Sequence, residues 1–117
     1  MNGRAIFNFC VSKIPNEIDK VCEINNIEKN GIDFFVLHQA SKFILETLEK
    51  KIDAKDGQFV NYLNLFGNTV SSSIPIALKQ LSKSNLGDKI SILISGFGVG
   101  LSWASTILKT KGDNNVL

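Results

Sequence analysis

Three short stretches of the sequence contain residue types that can bind a polar ligand. His38 is the single histidine of the 117-residue chain, and it directly follows the apolar run Phe34-Phe35-Val36-Leu37. Asn68 lies in a Gly-Asn-Thr turn, and the segment Gly96-Phe97-Gly98-Val99-Gly100 follows a second apolar run. A carboxamide donates hydrogen bonds at any pH, whereas an imidazole donates from a nitrogen that depends on its tautomer. These groups indicate a candidate site if the fold brings them together.

Each of these features alone has an ordinary structural explanation. A lone histidine at a strand end is often a surface residue or one bonded to a nearby carbonyl. A Gly-Asn pair is common in turns because both residues tolerate left-handed backbone. The glycine-rich segment is typical of a flexible hairpin, and it lacks the strand–turn–helix context of a dinucleotide loop. The predicted arrangement of the three features is therefore what favours a site.

Two predicted strands position these residues. Residues 32–37 are almost continuously apolar, as expected for a strand covered on both faces, and residues 89–95 form a second such run. If the two strands are parallel, His38 and the glycine-rich segment lie at the same end of the sheet. Asn68, which precedes a predicted helix, then approaches the same end. Ligand sites of open α/β sheets collect there, outside the carboxyl ends of the strands and near helix N-termini.

The remaining pattern predicts an α/β layer, a mixed sheet with helices on both sides. In chain order we expect a short helix to about Val11, a second helix opened by Pro15, a helix over 41–52, a short strand over 59–65, a helix starting at Ser71-Ser72-Ser73, and a final strand over 101–109. The last two strands are expected to be antiparallel neighbours. We expect one of two helical apolar faces to be buried only by a missing partner, and we favour the second: Ile44, Leu45, Leu48 and Ile52, or Ile74, Ala77, Leu78 and Leu81.

Composition excludes several classes of function. The chain is 44% hydrophobic and 21% charged with a net charge of +2, which is ordinary for one globular domain. It has no basic stripe with interleaved aromatics, so we expect no nucleic acid partner. No apolar run approaches the ~18 residues of a membrane span, and no signal peptide is indicated. Cys10 and Cys22 lack metal-site spacing and are expected to be buried, with no metal, in a cytoplasmic protein.

The sequence resembles the C-terminal half of a β-ketoacyl-acyl carrier protein synthase III, of the thiolase-like superfamily. The resemblance rests on Met1-Asn2-Gly3 with Phe7, on His38-Gln39-Ala40, on Phe66-Gly67-Asn68-Thr69 with Ser73-Ile74-Pro75-Ile76-Ala77-Leu78, and on Gly96-Phe97-Gly98-Val99-Gly100-Leu101-Ser102-Trp103. It implies one half of a thiolase-like fold. Residues 1–110 would form the synthase III C-terminal domain, and 111–117 a frayed tail. The implied reaction is a decarboxylating Claisen condensation of acyl-CoA with malonyl-carrier protein, with no cofactor.

The resemblance also assigns roles to individual residues. His38 and Asn68 match the histidine and asparagine of a Cys-His-Asn triad whose cysteine is absent from this chain, since Cys10 and Cys22 match no nucleophile motif. Their N–H groups would stabilise the enolate that forms as CO2 departs. The active-site loop that supplies the oxyanion hole would comprise Phe97, Gly98, Val99 and Gly100, with the backbone N–H of Val99 as donor. The implied candidates for a substrate channel are Phe7, Gln39, Ala40 and Ser41.

The implied partners are a complementary N-terminal half that carries the cysteine, acyl carrier protein and acyl-CoA, within a homodimer of the full enzyme. This chain alone would then be inactive. The family commonly has a basic residue where Phe43 stands and a lysine where Asn8 stands, so docking of the carrier through these positions is not expected, although Lys42, Lys50 and Lys51 could substitute. Two alternatives remain open from the sequence. One is a non-catalytic remnant or partner-binding half, and the other is an acyl transferase to an alcohol or amine that uses His38 as a general base.

Overall fold

A computed structural model describes residues 3–68, 72–83, 89–98 and 102–110. Its elements in chain order are α1 (Gly3–Ile24), a 3-10 turn (Lys29–Gly31), β1 (Phe34–Leu37), α2 (Lys42–Ile52), α3 (Leu63–Phe66), α4 (Ser73–Ser82), β2 (Ser91–Gly98) and β3 (Ser102–Lys109). The strands form one sheet in the order β1-β2-β3. β1 is parallel to β2, and β2 is antiparallel to β3, so the predicted mixed sheet is confirmed.

Helices cover both faces of this sheet, as the apolar pattern predicts. Successive side chains of a strand point to opposite faces. Phe35 and Leu37 of β1 pack in a core cluster with α1 and α2, whereas Val36 packs with α4 and with Ile92 of β2. All four of these side chains are at most 1% exposed. The sheet is therefore the central layer of the molecule, and its strand ends lie between the two helical layers.

One continuous helix, α1, replaces the two helices predicted for the first part of the chain. Pro15 lies inside α1 instead of opening a second helix. An interior proline costs about 3 kcal/mol because it lacks an N–H and crowds the preceding turn. Cys10, Ile14 and Ile18 are buried on both sides of the proline. Each aliphatic side chain contributes about 1.5–3 kcal/mol on burial, so the continuous apolar face offsets the cost of Pro15.

The predicted strand over residues 59–65 is also wrong. Phe59 makes only an isolated parallel bridge to Phe35, through hydrogen bonds that flank it, and Leu63–Phe66 is the helical turn α3. The glycine-rich segment also differs from the flexible turn predicted for it. Gly96, Phe97 and Gly98 instead continue β2. They pair with residues of β3, with Phe97 opposite Trp103. Pairing along the hairpin thus overrides the low strand propensity of glycine.

The apolar face of α4 is covered within the chain itself. Ala77 and Leu81 are 1% and 4% exposed, and they pack on Val36 and Ile92 of the sheet. The expectation that a missing partner buries this face is therefore wrong for these two residues. The sheet described here is wide enough to cover the helix. Among the described residues, no helix is long and apolar enough to cross a membrane.

Candidate functional site

The parallel pairing of β1 and β2 fixes the position of His38. Leu37, the last residue of β1, is aligned with Ser95 of β2. The backbone N–H of His38 donates to the carbonyl of Ser95 at 2.9 Å, which extends the ladder by one residue. The imidazole thus emerges at the carboxyl end of β1, where Gly96 and Phe97 also lie. This is the sheet end that the sequence indicates for a site.

The imidazole contacts two side chains from different elements. Nδ1 of His38 lies 2.7 Å from Oγ of Ser73, the first residue of α4. The ring of Phe97 packs edge-on against the imidazole, with ring centroids 5.4 Å apart and an interplanar angle of 88°. His38 is partly buried there, and burial lowers its pKa below the ordinary value of an imidazole. Burial therefore favours the neutral form of the ring.

Ser73 is a site residue that the sequence does not single out by itself. Its side chain is only 2% exposed, and its Oγ accepts a hydrogen bond from the backbone N–H of Gln39 at 3.2 Å. The sequence signal that could have pointed to Ser73 was the run of three serines at the start of the predicted helix. Which serine faces His38 depends on the rotation of α4 about its axis, and packing of the helix on the sheet sets that rotation.

Asn68 lies at the same end of the sheet, on the turn that follows α3. Its Nδ2 donates to the carbonyl of Ala40 at 3.1 Å, which connects it to the segment that carries His38. Gly67 before it has a φ of 67°, a backbone conformation that favours glycine. The Asn68 side chain is exposed. The structure therefore brings Asn68, His38 and Phe97 into one region, while Val99 and Gly100 of the predicted loop lie outside the described residues.

Gln39 has its side chain in the interior, although it follows His38 directly. It is 3% exposed. Its Nε2 donates to the carbonyls of Leu37 at 2.8 Å and Val60 at 3.4 Å, and its Oε1 accepts from the N–H of Tyr62 at 2.8 Å. The amide thereby fixes the segment after β1 to the segment around residues 60–62. This is a structural position, below the surface at which a ligand would bind.

The other channel candidates have different surroundings. Ser41 is exposed, and its Oγ accepts from the N–H of Ile44 at 3.2 Å, so it caps the N-terminus of α2. Phe7 of α1 stacks on Phe43 of α2, with ring centroids 5.0 Å apart. Ala40 is half-buried, and its carbonyl accepts the bond from Asn68. These contacts give each residue a local structural function.

Both cysteines are poorly suited to act as nucleophiles in this structure. Cys10 and Cys22 are free thiols in the core cluster between α1, α2 and the sheet, 1% and 4% exposed. Burial raises the pKa of each thiol, and Asp19 raises that of Cys22 further. A thiolate is the reactive form, so both groups are inert near neutral pH. The described residues also contain no cluster of three side chains that could hold a metal ion.

Comparisons with known proteins identify the family to which this chain belongs. Residues 22–110 match the family described as 3-oxoacyl-[acyl-carrier-protein (ACP)] synthase III C terminal. The chain is 40% identical over 113 residues to a beta-ketoacyl-[acyl-carrier-protein] synthase III of Streptococcus agalactiae serotype III, strain NEM316. That alignment covers 93% of this chain and 35% of the relative. The chain thus spans about a third of the length of the curated relatives it matches.

Solved structures show the same similarity. The 3-oxoacyl-(acyl carrier protein) synthase III of Pseudomonas aeruginosa PAO1 superposes with a TM-score of 0.86 at 31% identity, over 94% of this chain and 35% of that one. The priming beta-ketosynthase of the R1128 polyketide biosynthetic pathway gives a TM-score of 0.89 at 26% identity, over 96% of this chain and 34% of that one. The fold is therefore thiolase-like, and the chain belongs to the family of 3-oxoacyl-[acyl-carrier-protein] synthase III C-terminal domains.

Proposed function

We propose that this chain supplies the histidine and asparagine of a decarboxylating condensation between an acyl-CoA and malonyl-carrier protein. The observation that supports the proposal is that His38 follows β1 at the carboxyl end of the sheet and that Asn68 donates to the carbonyl of Ala40, two residues after His38, in a chain of the synthase III family. The two residues belong to different segments, one after β1 and one after α3. Two N–H donors of this kind can bind one oxygen atom that gains negative charge.

The chemistry assigned to His38 and Asn68 is electrostatic. The bond between the malonyl methylene carbon and its carboxylate breaks, CO2 leaves, and the electron pair passes into an enolate on the thioester. Hydrogen bonds from His38 and Asn68 to the thioester oxygen stabilise this enolate. The acyl group has by then passed from CoA to the cysteine, with CoA released as its thiol. The enolate carbon attacks the carbonyl carbon of this acyl-cysteine to give a tetrahedral oxyanion, whose collapse re-forms the carbonyl and expels the cysteine thiolate. The backbone N–H of Val99 would stabilise the negative oxygen of that second step.

The nucleophilic cysteine of this proposal lies outside the chain. Cys10 and Cys22 are buried, and their thiols are disfavoured as thiolates. A complementary N-terminal segment would supply the cysteine, as in an enzyme about three times as long. Acyl carrier protein and acyl-CoA would be the partners of the assembled enzyme. The 117-residue chain alone is then expected to be inactive, with neither acyl transfer nor condensation.

The test is reconstitution of the chain with an N-terminal segment taken from a full-length relative. The assembly should condense acyl-CoA with malonyl-carrier protein, whereas each part alone should not. Mass spectrometry of the chain alone with acyl-CoA should show no stoichiometric thioester. An acyl adduct on Cys10 or Cys22 that supports turnover would overturn the proposal, as would an assembly that acylates its cysteine and never releases CO2 from malonyl-carrier protein.

A further inference from the structure

We infer that Ser73 is a positioning residue, which holds His38 in the tautomer that has its proton on Nε2. In that tautomer the ring accepts a hydrogen bond at Nδ1 and donates one from Nε2. The inference rests on the proposed function for the identity of the oxygen that Nε2–H binds. The assignment of the tautomer itself depends only on the hydrogen bonds around Ser73.

The hydrogen bonds of Ser73 determine the direction of its contact with His38. Oγ already accepts the backbone N–H of Gln39 at 3.2 Å. A serine hydroxyl also has one hydrogen to donate. Within the part of the chain that the structure describes, the one acceptor at hydrogen-bond distance is Nδ1 of His38, at 2.7 Å. The Ser73 hydroxyl therefore donates to Nδ1.

The opposite direction is unfavourable for two reasons. If Nδ1 carried the proton, Oγ would accept from both Nδ1 and Gln39, and the hydroxyl hydrogen of a side chain that is 2% exposed would have no acceptor among the described residues. A doubly protonated ring is also disfavoured. The ring is partly buried and packs edge-on against Phe97, and the positive end of the α4 dipole begins at Ser73.

The tautomer determines what His38 can do. Nε2 has no hydrogen-bond partner among the described residues, so its N–H is free to bind a substrate oxygen. A nitrogen that already carries a proton cannot remove one from an alcohol or amine. The arrangement therefore favours enolate stabilisation over general-base transfer.

Nitrogen NMR can detect the tautomer directly, because His38 is the single histidine of the chain. Chain labelled with 15N-histidine is measured above the His38 pKa, alone and bound to the unlabelled N-terminal segment. A two-bond proton–nitrogen correlation identifies the protonated ring nitrogen. We expect Nε2 to be protonated in the unmodified chain. A spectrum with the proton on Nδ1 would overturn the inference without any variant.

Variants test whether Ser73 is the cause. In Ser73→Ala the two neutral tautomers of His38 should interconvert. The 15N chemical shifts of Nδ1 and Nε2 should therefore move toward each other. Ser72→Ala, an exposed neighbour, is the matched control and should leave both shifts unchanged. Ser73→Thr keeps a hydroxyl and should restore the original shifts, and an amide spectrum of each variant verifies the fold. Unchanged nitrogen shifts in folded Ser73→Ala would overturn the role of Ser73.

The activity of the reconstituted enzyme separates this inference from the proposed function. Ser73→Ala should lower kcat for malonyl decarboxylation about tenfold with little change in KM, less than the ~10²–10³ expected when a donor is removed outright. Acylation of the cysteine should be unchanged. If the unmodified assembly shows the Nε2–H spectrum but no decarboxylation, the proposed function fails and the tautomer assignment stands. If decarboxylation is normal in folded Ser73→Ala, Ser73 does not position His38 for this reaction.

Discussion

The side-chain oxygen of Gln39 accepts a hydrogen bond from the backbone N–H of Tyr62 at 2.8 Å, across 23 residues of sequence. The same amide donates to the carbonyls of Leu37 and Val60. Gln39 thus joins the end of β1 to the segment that leads into α3 and then to Asn68. It therefore connects the segments that carry the two donors, although its side chain makes no hydrogen bond to either of them among the described residues.

Gln39→Ala should destabilise the chain considerably. The substitution leaves the Tyr62 N–H and the Leu37 carbonyl without their partner, and each buried polar group left unpaired costs about 1–3 kcal/mol. We expect the free energy of unfolding in urea to fall by at least about 2 kcal/mol. Gln80→Ala on α4 is the control, because no hydrogen bond involves the Gln80 side chain within the described residues. An equal loss in the free energy of unfolding for Gln39→Ala and Gln80→Ala would show that the hydrogen bonds of the Gln39 side chain do not stabilise the chain.

His38→Ala and Asn68→Ala should each suppress malonyl decarboxylation more than acylation of the cysteine. Both donors act on the enolate oxygen in our proposal, so each loss should be about 10²–10³ in rate. The two half-reactions are measured separately in the reconstituted enzyme, as CO2 release and as acyl-thioester formation. Asn64→Ala, an exposed asparagine on α3, should retain both activities. Equal suppression of both half-reactions would contradict the assigned roles.

The stability of the chain should depend on pH through His38. Burial lowers the folded-state pKa of this group below its unfolded value near 6.5, so the unfolded chain binds more protons in that range. The contribution of His38 is therefore fully present above pH 6.5 and is lost as the pH falls toward the folded-state pKa. Urea unfolding at several pH values can measure this. His38→Gln should lose this part of the pH dependence, while His38 should titrate at a lower pH in the folded chain than in the unfolded chain.

Ser41→Ala distinguishes a helix cap from a substrate contact. The Ser41 side chain accepts the N–H of Ile44 at the start of α2, and loss of such a cap costs about 1 kcal/mol. We expect that loss in urea unfolding, together with an unchanged KM for the acyl substrate in the reconstituted enzyme. Ser12→Ala on the exposed side of α1 should have little effect on stability. A raised KM with unchanged stability would place Ser41 in the substrate channel.

Apolar periodicity in the sequence was sufficient to predict the layers of the fold, but it left the parallel pairing that positions His38 as one possibility. It failed at Pro15, because local propensity favours a break that the buried face of α1 overrides. Apolar periodicity also did not predict where the polar side chains beside His38 would lie. Gln39 follows the catalytic candidate directly, yet its side chain lies in the interior. The pairing of Ser73 with His38 depends on how α4 packs against the sheet, which is a tertiary property.

The pairing of β1 with β2 also has a consequence for the order of folding. Phe34 is paired with Ile92, 58 residues later in the chain, while β2 and β3 form a local hairpin. A hairpin closes in microseconds, whereas contacts between distant segments must first overcome the entropy of closing a long loop. His38 takes its final position only when β1 docks beside β2. During synthesis, β1 must therefore wait for β2 to leave the ribosome, and its apolar surface is exposed to chaperones and to aggregation during that interval.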